Sequence, residues 1–218
     1  MKILDALLEL LYPTRCAFCH KQTGGGQICR KCAGSLPYTE DGEQVRNFRF
    51  VEKCASPLYY EGDVRASLLR YKFNGLSFYW KIYCEILSKC VDENEISCDI
   101  ITWVPLSKAR LRQRGYDQAR LLAEGLAEHM GVECARLLRK TRNNPAQSSM
   151  GGAEKRRANV SGAYEAVDAG RTEGRRVLIV DDIVTTGSTL SECAAVLTMA
   201  GAKSVTAATV ARTRERKD

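Results

Sequence analysis

The chain has 218 residues, 44% hydrophobic and 27% charged, a balance that suits a globular domain with a real core plus a small appendage. No apolar run nears the ~18 residues of a membrane-spanning helix. Residues 1–11 are too short for a secretory signal and carry Asp5 and Glu9, so a cytoplasmic protein without membrane insertion is expected. The formal charge is +7, which points to a polyanionic partner.

In chain order, residues 3–11 set apolar side chains at 3, 4, 7, 8 and 11, a helical stripe stopped by Pro13. Four cysteines follow as two Cys-x2-Cys pairs, Cys16 with Cys19 and Cys29 with Cys32. Each pair can turn two thiolates toward one ion, completing the all-sulfur tetrahedron that zinc favours. The run Gly24, Gly25, Gly26 lets the chain reverse between them. With four thiolates there is no open position, so the site is structural and His20 a bystander. Two disulfides or an iron–sulfur cluster would also use four cysteines. A reducing compartment and a segment too short to fold unaided favour zinc. The other six (Cys54, Cys84, Cys90, Cys98, Cys134, Cys193) show no spacing and read as small core residues.

Residues 1–37 thus form a helix plus zinc module, expected to unfold by itself when the metal is lost. Residues 38–53 read as a polar linker with one short strand, and residues 54–218 as the main domain. Residues 55–60 read as a strand. Asp63 caps a helix reaching Phe73, ended by Asn74 and Gly75. Ser77 caps another, with Tyr79, Ile82, Tyr83, Ile86 and Cys90 on one face. Residues 99–104 are a buried-strand run ended by Pro105, and a long helix aligns Ala119, Leu122, Leu126 and Met130.

Residues 105–160 hold twelve bases against five acids, the whole charge surplus. A solvated arginine-rich face would read the same way. Residues 139–160 are polar and too long for an ordinary connection. Residues 177–180 form a strand, 189–199 a helix and 204–210 a last strand. This alternation implies right-handed βαβ units, hence an α/β fold with a doubly wound parallel sheet.

The most informative segment runs from Val177 through Asp181, Asp182, Thr185, Thr186, Gly187, Ser188 and Thr189 into a helix. Ligands of open α/β sheets gather at the carboxyl ends of strands, where this segment lies. Backbone N–H groups, hydroxyls and a helix N-terminus together seat a phosphate monoester. Two carboxylates beside that seat make sense if they accept hydrogen bonds from sugar hydroxyls.

The segment resembles the phosphoribosyl pyrophosphate (PRPP) loop of type I phosphoribosyltransferases. That resemblance implies Asp181 and Asp182 on the ribose hydroxyls, Thr185, Thr186, Gly187, Ser188 and Thr189 on the 5-phosphate, and Mg2+ on the pyrophosphate. The order of the parts is similar to the ComF family: a four-cysteine knuckle, Tyr71-Lys72-Phe73-Asn74-Gly75, Val104-Pro105-Leu106-Ser107 with Arg110, Arg114-Gly115-Tyr116-Asp117-Gln118, and the PRPP loop. In that family's terms Val104, Pro105, Leu106 and Ser107 face pyrophosphate, Arg110 and Arg114 are their basic companions, and residues 139–160 are a mobile hood loop.

Two functions follow from the resemblance. One is a PRPP- and Mg2+-binding protein that handles single-stranded DNA with competence-machinery proteins during DNA uptake. The other is an active phosphoribosyltransferase on an acceptor that the sequence does not mark. Tyr71, Phe73, Phe78, Tyr79 and Trp80 can stack on bases where they are exposed. The basic tail from Arg212 to Lys217 reads as a solvated end.

Overall fold

The computed structural model describes residues 14–40, 42–141 and 163–214. The helical stripe at 3–11 and the loop beyond Thr141 lie outside the described residues. Strands are β1 (Val45–Phe48), β2 (Val51–Ala55), β3 (Leu58–Tyr59), β4 (Ile100–Trp103), β5 (Glu133–Cys134), β6 (Leu138–Lys140), β7 (Tyr164–Ala166), β8 (Arg176–Val184) and β9 (Ser204–Arg212). Helices are α1 (Arg30–Ala33), α2 (Gly62–Phe73), α3 (Trp80–Glu93), α4 (Lys108–Arg114), α5 (Gln118–Met130), α6 (Ala169–Thr172) and α7 (Ser188–Met199), with a 3-10 turn at Ser77–Tyr79. None is long and apolar enough to cross a membrane.

Seven strands form one sheet in the order β1-β2-β9-β8-β4-β5, with β3 also on β9. All pairs are parallel except β1 with β2. Helices cover both faces, as buried parallel strands require. One face packs Leu178 and Val180 under α2, α3 and α5. The other packs Val177 and Ile179 under α7 and the β6/β7 ribbon. This is the doubly wound arrangement that the alternation of elements implies.

Local differences have local causes. The run at 55–60 divides into β2 and β3 because Pro57 cannot donate to a ladder; Ser56 instead bonds Thr209 Oγ1 through its hydroxyl, 2.7 Å away. Residues 45–53 of the supposed linker are not loose. They form β1 and the start of β2, a hairpin closing the sheet edge. Helix α2 starts one residue before Asp63, and its N-cap, Glu61, makes no side-chain cap bond. The helix after Pro105 is two helices: Gly115, at φ 79, ends α4, and the Asp117 carboxylate then caps α5.

The cysteine knuckle is part of the main core. Phe18 is fully buried and meets Tyr83 edge-on with centroids 6.0 Å apart. Ser67 and Arg70 of α2 donate to the backbone carbonyls of Ala17 and Phe18. His20 Nδ1 lies 3.1 Å from the Tyr79 hydroxyl. Cys16, Cys32 and Leu36 belong to the same apolar cluster as α3 and α5. The apolar surface of this module is thus packed within the same cluster as α2 and α3, which argues against its unfolding by itself.

Candidate functional site

The sulfurs of Cys16, Cys19, Cys29 and Cys32 all lie within 4.8 Å of one another. Tetrahedral zinc with bonds of about 2.3 Å sets its sulfurs about 3.8 Å apart, and Cys19 to Cys29 is 3.7 Å. The backbone N–H of Cys29 points at Cys16 Sγ, and that of Cys32 at Cys29 Sγ, each at 3.4 Å. Such donors steady thiolates around a cation. All ten cysteines are free thiols, and the donor set fits one structural zinc. His20 is turned to Tyr79, so it stays a bystander.

The second constellation sits at the carboxyl end of β8. That strand runs on through both acids to Val184, so Asp181 and Asp182 obey strand alternation and face opposite sides. Asp182 lies with Leu178 and Val180, and its Oδ1 meets Lys72 Nζ of α2 at 2.8 Å. Its residue is only 3% exposed, and Oδ2 is buried with no partner. Asp181 faces Cys193, Tyr164 and Lys140. Desolvation first, and then the neighbouring Asp182 charge, push its carboxyl well above the ordinary value.

A carboxyl raised in the folded state binds its proton more tightly there than in the unfolded chain. Stability must then fall as pH rises from about 4 through neutrality. Asp181→Asn is accordingly expected to melt above the parent protein at pH 8, with the gap closing as pH approaches 4. Thermal melts across that range check this; a gap that widens in acid would refute it.

Beyond β8, Thr185, Thr186, Gly187, Ser188 and Thr189 with Asp181 line an open pocket. Gly187 holds φ 73 as N-cap of α7, and a Cβ there would collide with the Phe48 ring of β1. Only glycine fits the turn. Thr186 and Ser188 hydroxyls are 2.8 Å apart.

Comparison with known proteins finds a family for the segment that holds each constellation. The double zinc ribbon domain family matches residues 7–44, and the phosphoribosyl transferase domain family matches residues 117–218. Competence protein F of Haemophilus influenzae is 26% identical over 87% of this chain and 86% of its own. Competence protein ComFC of Bacillus subtilis is 28% identical over 90% and 77%. Along most of its length the chain is similar to these ComF-type proteins. Among solved structures, adenine phosphoribosyltransferase from Thermoanaerobacter pseudethanolicus is 18% identical, covering 78% of this chain and 95% of that one at TM-score 0.42.

The remaining ComF-type motifs sit around β8. Val104, Pro105 and Ser107 are buried and Leu106 is half-buried. Val104 N donates to Val180 O, and Ser107 Oγ caps α4 by accepting from Arg110 N at 3.3 Å. Leu106 N points at Asp117 Oδ2, 3.4 Å away. Arg110 is exposed. Arg114 is half-buried beside Phe73 and feels the Asp182 charge, while burial pulls its pKa down. Its Nε and Nη1 have no partner, nor do Tyr116 Oη and Gln118 Oε1. Buried polar atoms without partners are expensive, and five of them cluster in the Arg114–Gln118 segment and Asp182.

The basic middle is partly spent on structure. Arg139 pairs with Glu165 across the β6/β7 ribbon, and Arg120 with Glu124 at 2.7 Å. Arg142 and Arg156 lie outside the described residues. The tail is not a loose end at its start: Arg212 is buried on β9 and bonds Glu43 at 3.0 Å, while Arg214 bonds Glu61 at 2.9 Å.

Two side chains of the site escaped the sequence reading. Lys72, inside the Tyr71–Gly75 motif, is the partner of Asp182, a contact across more than a hundred residues that no local pattern encodes. Lys140, at the end of β6, lies 3.0 Å from the Tyr164 hydroxyl and within the fields of Arg110 and Asp181. The sequence reading places it inside the hood loop of residues 139–160, whereas residues 139 and 140 belong to β6.

Proposed function

We propose that this chain binds PRPP with Mg2+ and handles single-stranded DNA during DNA uptake, as the names of its competence relatives suggest. The observation that carries the reading is the open pocket at the carboxyl end of β8, lined by Asp181 and the Thr185–Thr189 loop, with the unpartnered Oδ2 of buried Asp182 next in the chain. Ribose hydroxyls are donors of the right kind for that oxygen and for Asp181. The loop from Thr185 to Thr189 supplies hydroxyls and helix N-terminal amides for a 5-phosphate. Arg110, Arg114 and the backbone of Val104–Ser107 take the pyrophosphate side. Mg2+ would ride on the ligand's phosphate oxygens with its waters and offset their charge.

Addition of PRPP with Mg2+ should raise the melting temperature, as any ligand selective for the native state does. Asp181→Asn with Asp182→Asn should abolish that rise; an unchanged rise would place the ligand elsewhere. Pyrophosphate release on adding candidate acceptors would instead favour the transferase reading, for which the site has charge enough in Arg110, Arg114 and Lys140.

A further inference from the structure

Of the five aromatics able to meet a base, Tyr71 and Tyr79 are buried, Trp80 is half-buried, and Phe78, 50% exposed, stands edge-on to Tyr79 with centroids 4.7 Å apart and, among the described residues, no arginine behind it. Phe73 is 61% exposed. It ends α2 directly after Lys72, the residue that holds Asp182. One face of that ring rests on Arg114, whose guanidinium carbon lies 4.9 Å from the centroid. An arginine behind an aromatic ring fixes its plane, leaving the outer face free and oriented.

Helix α4 supplies the complementary charge. Four of its seven residues are basic and none is acidic or buried. Residues four apart share a face, so Arg110 and Arg114 form one basic face and Lys108 with Arg112 another. The first is the face already assigned to pyrophosphate, with Arg114 reaching Phe73. Lys108 and Arg112 are exposed and have no ion-pair partner among the described residues. Helix α4 thus backs the exposed ring through Arg114 on one face and carries uncommitted cations on another, so a strand with one base stacked on Phe73 and its backbone continuing around α4 would find phosphate partners there.

We propose that the outer face of Phe73 stacks on one nucleobase of single-stranded DNA, whose phosphates are met by Lys108 and Arg112. This rests on the DNA-handling reading above and names where the strand sits.

The test uses the full chain, a thymidine oligonucleotide of about a dozen residues and an abasic strand of equal length. Phe73→Ala should weaken thymidine-strand binding about tenfold, the scale of one lost stack, and barely alter the abasic strand. Phe73→Trp should restore binding, with quenching of the new indole. Phe50→Ala, an exposed aromatic of the β1–β2 turn, should change nothing. Lys108→Ala with Arg112→Ala should flatten the slope of log affinity on log salt by about 1.4, two contacts' worth. The melting shift given by PRPP should persist in all these variants, which separates this proposal from the sugar site. Equal binding by Phe73→Ala, or an equal loss in Phe50→Ala, overturns the assignment while the DNA reading stands. No strand binding by the parent protein overturns both. If Phe73→Ala affects only a free nucleobase offered with PRPP, the ring belongs to an acceptor and the strand assignment falls.

Discussion

Cys29→Ser should release the zinc and lower the melting temperature of the whole chain by about 10 °C, in a single transition. The expectation follows from where the knuckle is docked. Without the metal, the turn presenting Ala17 and Phe18 keeps only a few backbone bonds, such as Ala17 N to Gln27 O and His20 N to Cys16 O, too few to fix so short a segment. Phe18 would leave its place against Tyr83, and Ser67 and Arg70 of α2 would lose their carbonyl acceptors. Vacating a buried phenyl costs about 3–5 kcal/mol, and each kcal/mol moves the melting point of a domain this size by about 2–4 °C. Phe18→Ala separates the causes, since it should keep stoichiometric zinc and yet melt nearly as low. Two separate transitions for Cys29→Ser, the larger unchanged from the parent, would mean that the knuckle is an appendage after all.

The legible parts of this molecule were those written in short range. The Cys-x2-Cys pairs, the apolar runs of β4 and β8, and the Thr-Thr-Gly-Ser-Thr turn each declare themselves within a dozen residues, because metal geometry, strand burial and phosphate binding are local demands. What stayed hidden depends on pairing across the chain. The β1–β2 hairpin reads as polar linker because it is an edge, with most of its side chains wet; its role shows only when Phe48 closes over Gly187, far along the sequence. Arg212 looked like a solvated tail residue, since nothing nearby reveals that Glu43 and Tyr59 wait for it. The two adjacent acids invited a single shared role. Strand alternation divides them, sending Asp182 to α2 and Asp181 toward α7. That division could have been read from β8 continuing past Val180, had the acids not looked like the start of a loop.

Lys72→Met should destabilise the chain by about 3 kcal/mol, and the loss should largely disappear when Asp182→Asn is added. The pair is a buried one: Asp182 has almost no contact with water, and among the described residues its one ion-pair partner is Lys72, 2.8 Å away. Removing one member of such a pair strands the other, at a cost of about 3–5 kcal/mol; the lower figure applies because the Lys72 ammonium is still partly wetted. Neutralising Asp182 removes the stranded charge, so the double variant should recover most of the loss, and the coupling measured in the cycle should be clearly non-zero. Additive effects would mean that the contact is incidental. The same variants also test the reach of α2. That helix grips the zinc knuckle through Ser67 and Arg70, holds Asp182 through Lys72 and shows Phe73 to solvent, all within seven residues. If α2 transmits the state of the knuckle to the sugar site, Phe18→Ala should weaken the melting shift given by PRPP even though Phe18 touches no part of that site. An undiminished shift in Phe18→Ala would confine the knuckle to a purely structural part.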